Sequence, residues 1–194
     1  SSDSAGGVIK TMGEGLIGFA EIFGKIDLDI IILLGDRFEI FVAATAATVA
    51  RIPIAHLSGG ETTEGAFDEV FRHSITKMSH LHFTTTELYR NRVIQLGEQP
   101  ERVFNVGAFV MDNINEMKLL SKDDLQESMK FKFGKRNLLI TFHPATLEDS
   151  PVEEQFNNLL GALSNIKDVK LIFTKSNSDI GGRKINKMID EYVE

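Results

Sequence analysis

The chain has 194 residues, 42% of them hydrophobic and 25% charged, which is enough apolar side chain to bury a core in one large domain or two small ones. A net charge of -7 leaves no basic surface for general nucleic-acid binding, and the absence of cysteine rules out disulfides and thiolate metal sites. The apolar runs are too short to span a bilayer, and the start at Ser1 has neither the basic nor the apolar region of a signal peptide, so a cytoplasmic protein that engages neither membrane nor nucleic acid is expected.

Taken in order, Ile9, Met12, Leu16, Ile17, Ala20 and Phe23 recur at helical spacing and predict an amphipathic helix over 8–24, interrupted by several glycines. Residues 29–35 form a continuous apolar run closed by Gly35, the pattern of a parallel strand buried on both faces, and Asp36 stands at its carboxyl end. A helix over 38–50 and a second buried strand over 52–57 complete a βαβ unit.

The stretch that follows is the most chemically loaded part of the chain. From His56 to His73 it reads H-L-S-G-G-E-T-T-E-G-A-F-D-E-V-F-R-H, crossing Gly59-Gly60 into a helix expected over 64–78. Phe67, Val70, Phe71, Ile75 and Met78 fall on one side of that helix, and Asp68 and Arg72 share another. Such a density of carboxylates beside a double glycine, at the carboxyl end of a parallel strand, is where an open α/β sheet places its ligand. Acidic residues also gather at helix N-termini for electrostatic reasons alone.

A third strand is expected over 80–84, then a helix capped by Thr86, a break at Gln99-Pro100 and a fourth strand over 103–106. This alternation predicts an α/β fold with a mostly parallel, Rossmann-like sheet. Residues 113–135 are polar and lysine-rich, with a helix start at Ser121, and read as a connecting helix or linker. Beyond them, strands over 137–142 and 169–174 and helices over 152–163 and 183–193 make a second, smaller α/β piece. The expected organisation is therefore 1–118, a connection over 119–135, and a partial domain over 136–194. Two strands leave sheet edges unpaired, so a natural chain continuing past Glu194 is expected.

Gly35-Asp36-Arg37-Phe38-Glu39, His56-x-x-Gly59-Gly60-Glu61, Asp68-x-x-x-Arg72-His73 and Thr141-Phe142-His143-Pro144 follow one another in an order and spacing that resembles the hydrolysing UDP-N-acetylglucosamine 2-epimerases of sialic-acid and related nonulosonic-acid pathways. The likeness covers essentially the whole chain. It implies two Rossmann-like parallel-sheet domains of the glycosyltransferase-B type, the second incomplete here, with the active site in the cleft between them. It also implies conversion of a UDP-sugar and water to an N-acetylmannosamine-type sugar and UDP, no metal or organic cofactor, and a homo-oligomer. On that pattern a first strand with a basic substrate loop should precede Ser1, and the uridine-binding turn should follow Glu194.

Removing a C2 proton that is barely acidic, while UDP leaves C1, calls for carboxylates of different protonation close together. The resemblance matches Asp36 and Asp68 to catalytic acids and Arg37 to a substrate-binding arginine. Glu61, after the double glycine, is the third carboxylate candidate, and Arg72 a second substrate-binding arginine. His143 matches a histidine facing the diphosphate and Asn177 a nucleotide contact. Some relatives carry His-Ile-Glu-Gly-Gly-Glu where this chain has Ser58, which cannot serve as a base unaided; either Glu61 takes that role or the set of proton carriers differs. Asp36 as a helix cap, Asp68 as half of an intrahelical pair with Arg72, Glu61 as a solvated loop residue and His143 as an ordinary packed histidine are the competing structural readings. His56, His80 and His82 read as structural. Competing functions are the same chemistry on a UDP-2,4-diacetamido sugar, a transferase of the same architecture, and a nucleotide-sugar binding module without turnover.

Overall fold

The structure, a computed structural model, describes residues 4–144, 150–177 and 180–193. From residue 6 onward, the described residues fall into two compact units, divided between Glu116 and Met117.

The first unit opens with α1 (Ala5–Phe23), which runs unbroken through its glycines. At Gly15 a Cβ would come within 3.1 Å of Val42 Cγ1, so here glycine lets α1 approach its neighbour closely. Then follow β1 (Ile31–Leu34), α2 (Phe38–Val49), β2 (Ile54–Leu57), α3 (Asp68–Met78), β3 (Leu81–Thr84), α4 (Glu87–Gln95), β4 (Val103–Asn105) and α5 (Val110–Glu116). The four strands pair in parallel in the order β1-β2-β3-β4, with Leu33 opposite His56, His56 opposite His82 and His82 opposite Val103. Leu33, Ala43, Ala44, Ala47, Ile52, Ile54 and Ile75 form the core, where the small side chains of α2 allow it to sit close to the sheet.

The expectation that β1 is buried on both faces does not hold. Leu33 is 5% exposed, whereas Ile32 is 66% and Leu34 57% exposed. Successive strand residues point to opposite faces, and an all-apolar run carries no record of which face is covered. Val70 is exposed as well, so the apolar side expected for α3 is narrower than its spacing suggested, and packing there comes from Ile75 and from Phe71, whose ring lies 4.9 Å from that of Phe41. That helix also begins four residues later than expected, because Gly65 adopts φ +78 and interrupts the turn. Thr86 caps α4 as its sequence predicts, its hydroxyl accepting from Tyr89 N at 3.3 Å. α5 arises in a stretch that reads as the start of a linker.

The second unit holds α6 (Lys122–Met129), β5 (Asn137–Ile140), α7 (Val152–Ser164), β6 (Lys170–Phe173) and α8 (Gly182–Val193). Ser121 starts α6 by accepting from Asp124 N at 3.2 Å. β5 and β6 pair in parallel from Asn137 opposite Lys170 to Ile140 opposite Phe173. Phe156, Leu160, Leu163, Ile185 and Ile189 from α7 and α8 close over Ile140 as a separate core. Leu139 is 71% exposed, the same one-sided burial as in β1.

Candidate active site

Parallel strands deliver their carboxyl ends to one rim, and in the first unit that rim carries the carboxylates. Asp36 follows β1 directly. It does not cap α2, whose N-cap is Arg37, with extended backbone and no side-chain cap hydrogen bond. The Asp36 carboxylate instead accepts from Arg72 Nη2 on α3. The same guanidinium donates through Nη1 to the Glu61 carbonyl at 2.9 Å and through Nη2 to Thr63 Oγ1 at 2.8 Å, with Glu69 Oε2 at 3.8 Å. One buried arginine thus ties the loop after β1, the loop after β2 and the first turn of α3 into one cluster. Burial pushes the Asp36 carboxyl above its ordinary range; the nearby Arg72 charge pulls the other way without cancelling it, and Glu61 adds to the rise.

The H-x-x-G-G-E stretch owes its form to a buried imidazole. His56 Nε2 donates to the Gly35 carbonyl at 2.8 Å, which leaves Nδ1 to accept from the Thr76 hydroxyl at 3.1 Å. This neutral tautomer couples the residue before Asp36 to α3. Burial lowers the His56 pKa to about 4, against a smaller upward pull from the Gly35 hydrogen bond, with the His82 and Arg72 charges adding to the fall. Gly59 sits directly over the pair: a Cβ there would meet His56 Nδ1 at 3.0 Å and Thr76 Oγ1 at 3.1 Å. Gly60, at φ +79, presses its backbone against α4, where a Cβ would lie 2.4 Å from the Tyr89 carbonyl. Each glycine of the double glycine therefore has its own steric reason, and together they fix where the chain emerges as Glu61.

Of the residues singled out from sequence, Asp36, Glu61 and Arg72 are brought together. Asp68 is the first residue of α3, one turn before Arg72 on the same helix face. Arg37 lies beside them in sequence, 33% exposed at its side chain, with Nε 3.3 Å from Glu39 Oε2 and its guanidinium over the Phe38 ring. In the second unit, His143 and Asn177 are also neighbours: Asn177 N donates to His143 Nδ1 at 3.5 Å, and Ser176 Oγ lies 3.4 Å from the same nitrogen. Among the described residues no group of three His, Cys, Asp or Glu side chains is arranged to hold a metal.

Sequence reasoning missed the residues that hold the Glu61 loop. Thr85 Oγ1 donates to Glu61 Oε1 at 2.9 Å, and Arg92 on α4 donates to the Gly60 carbonyl at 2.6 Å and to the Thr62 hydroxyl. Glu69 Oε2 accepts from Thr63 N at 2.5 Å, a hydrogen bond that holds its carboxyl below the ordinary range. The signal was faint: Thr84-Thr85-Thr86 reads as a strand end and a helix cap, and nothing local points Thr85 across to a loop 24 residues earlier.

Two parallel α/β units with carboxylates at a strand-end rim are Rossmann-like, and the likeness to solved structures gives the fold as the glycosyltransferase-B type. The structure is similar to the UDP-GlcNAc 2-epimerase of Neisseria meningitidis bound to UDP-GlcNAc, with a TM-score of 0.74 at 17% identity over 96% of this chain and 53% of that one. It is also similar to the Methanocaldococcus jannaschii UDP-GlcNAc 2-epimerase in complex with UDP-GlcNAc and UDP, with a TM-score of 0.72 at 19% identity over 93% and 51% of the two chains. At sequence level, the UDP-N-acetylglucosamine 2-epimerase family matches residues 1–194, and the chain belongs to that family. It is 39% identical over 194 residues to the hydrolysing GDP/UDP-N,N'-diacetylbacillosamine 2-epimerase of Campylobacter jejuni, covering all of this chain and 50% of the relative. A polysialic acid biosynthesis protein of Escherichia coli is 42% identical over 193 residues, with 95% of this chain and 48% of the relative covered. The chain thus spans about half the length of the curated relatives it matches.

Proposed function

We propose that this chain carries the sugar-handling carboxylates of a hydrolysing UDP-sugar 2-epimerase. The observation that supports it best is the Arg72 cluster, in which Asp36 and the Glu61 loop are held together at the carboxyl ends of parallel strands in a member of this family. A base takes the C2 proton, the freed pair forms the C1–C2 double bond, and the C1–O bond breaks with UDP leaving on its own electron pair. Water then returns its hydroxyl to C1 and a proton to C2 from the opposite face, so UDP-sugar and water become the free 2-epimer and UDP. Inversion needs one group that accepts a proton and another that supplies one. Glu61 is the base, taking the part that Ser58 cannot. Asp36, whose carboxyl burial holds above its ordinary range, and Asp68 on the adjoining helix turn supply the returning proton and guide the water. Arg37, His143 and Asn177 contact the UDP-sugar, and Arg72 serves it through Asp36, because its side chain is only 6% exposed.

Two relatives, at 39% and 38% identity, are named as diacetylbacillosamine 2-epimerases, which favours a UDP-2,4-diacetamido sugar as substrate beside UDP-N-acetylglucosamine. Incubating the whole protein with each sugar and following the products by NMR decides between them. The free 2-epimer with stoichiometric UDP is expected; UDP released only when an acceptor is added would replace this reading with a transferase, and binding without turnover would replace it with a binding module.

The same reading puts residues 1–118 and 136–194 in two domains joined through 119–135, an organisation supported by the two separate cores. It carries a role in sialic- or nonulosonic-acid biosynthesis in the cytoplasm, supported by the likeness to the polysialic acid biosynthesis protein of E. coli; no helix among the described residues is long and apolar enough to cross a membrane. The protein works as a homo-oligomer, a reading supported by the exposed Ile9, Ile17 and Ile22 of α1 and checked by light scattering.

A further inference from the structure

We infer that Thr85 is a positioning residue for Glu61, holding its carboxylate in the orientation that proton abstraction needs. This rests on the reading of Glu61 as the C2 base. Glu61 stands in an irregular loop between β2 and α3, and its side chain has three rotatable bonds, so nothing in its local sequence directs the carboxylate. The loop's backbone is pinned from three sides: Arg72 holds the Glu61 carbonyl, Arg92 holds the Gly60 carbonyl and the Thr62 hydroxyl, and Gly60 is pressed onto the Tyr89 carbonyl. Those contacts place the Glu61 Cα and leave the side chain free. Thr85 Oγ1, 2.9 Å from Oε1, is what directs it.

An ionised carboxylate only accepts, so the Thr85 hydroxyl is the donor in this pair. Thr85 is well suited to aim another group, since it lies between the end of β3 at Thr84 and the α4 cap at Thr86, on backbone fixed by both elements. It takes Oε1, and among the described residues no hydrogen bond takes Oε2, which is the oxygen left to meet a substrate hydrogen. Misplacing a reacting group by about 1 Å costs about 100-fold in rate.

In the whole enzyme, Thr85→Val keeps the shape and removes the donor. Its kcat should fall by about 10- to 100-fold with KM changed less than about 3-fold, while Thr85→Ser, which restores the hydroxyl, should recover most of the loss. Thermal melting of both variants should match the parent, which separates positioning from general damage. Parent-like kcat in Thr85→Val, or a Thr85→Ser variant as slow as Thr85→Val, would overturn the proposal. Glu61→Gln, measured alongside, tells the two ideas apart: if it is inactive while Thr85→Val is fully active, the positioning role alone fails, whereas an active Glu61→Gln removes Glu61 as base and the role of Thr85 with it.

Discussion

Arg72 on α3 and Asp36 after β1, 36 positions apart in sequence, form an ion pair whose side chains are 6% and 19% exposed. A pair this enclosed differs from a surface bridge, because the loss of either partner strands the other charge in a poorly solvated place. Arg72→Met should therefore destabilise the protein by about 3 kcal/mol in urea unfolding. It should also release the Glu61 loop, so activity should fall further than stability alone explains, and Arg72→Lys, lacking the fork that reaches three acceptors, should not rescue it.

The proposed proton carriers, Asp36 and Asp68, are tested by isosteric change. Asp36→Asn and Asp68→Asn should each reduce turnover by about 100- to 10,000-fold with circular dichroism unaltered, and Asp36→Asn, which leaves Arg72 without its counter-charge, should also lower the melting temperature. Near-parental rates in both would remove them from the chemistry.

On the proposed mechanism, solvent supplies the proton returned to C2. Run in heavy water, the reaction should give a product carrying one deuterium at C2, read by loss of the H2 signal in the NMR spectrum. A product that retains protium there would mean a route without C2 deprotonation.

His56 gives the fold a defined acid limb. Its pKa is lowered from 6.5 to about 4 in the folded state, so between those values the unfolded chain binds the extra proton. Stability from this group is fully present above pH 6.5 and is lost as pH falls through about 4, a change of about 3 kcal/mol. Buried His82, with its pKa also lowered chiefly by burial, acts in the same direction. Melting temperature should decline between pH 6.5 and 4, and His56→Asn should flatten that decline at the cost of lower stability at neutral pH.

Two glycines in one loop should respond differently to alanine. Gly60→Ala drives a methyl to 2.4 Å from the Tyr89 carbonyl at φ +79, which should cost about 3 kcal/mol and disturb Glu61. Gly65→Ala meets nothing within 4 Å and carries only the left-handed backbone penalty, about 1 kcal/mol. Equal losses in parallel melting curves would refute the steric account of the double glycine.

Much of the fold was legible because its signals are local. The apolar runs at β1 and β2, the Thr86 and Ser121 caps, and the alternation of strand and helix all depend on neighbours within a few residues, and the elements other than α5 lie within a few residues of where the sequence places them. Asp36 and Glu61 could be singled out because they follow strand-ending glycines. What was not legible depends on partners far along the chain: the open face of Ile32 and Leu34, the capture of Arg72 by Asp36 where Asp68 is its neighbour on the helix, and the hydrogen bond from Thr85 to Glu61.

By itself, then, the sequence determined the α/β class, the family and the rim from which the carboxylates project, because period, turn chemistry and motif spacing are properties of short stretches. Only the tertiary structure decided which groups touch. A guanidinium or a hydroxyl goes to whichever acceptor the packing of sheet and helices brings within about 3 Å, and no local pattern records that distance.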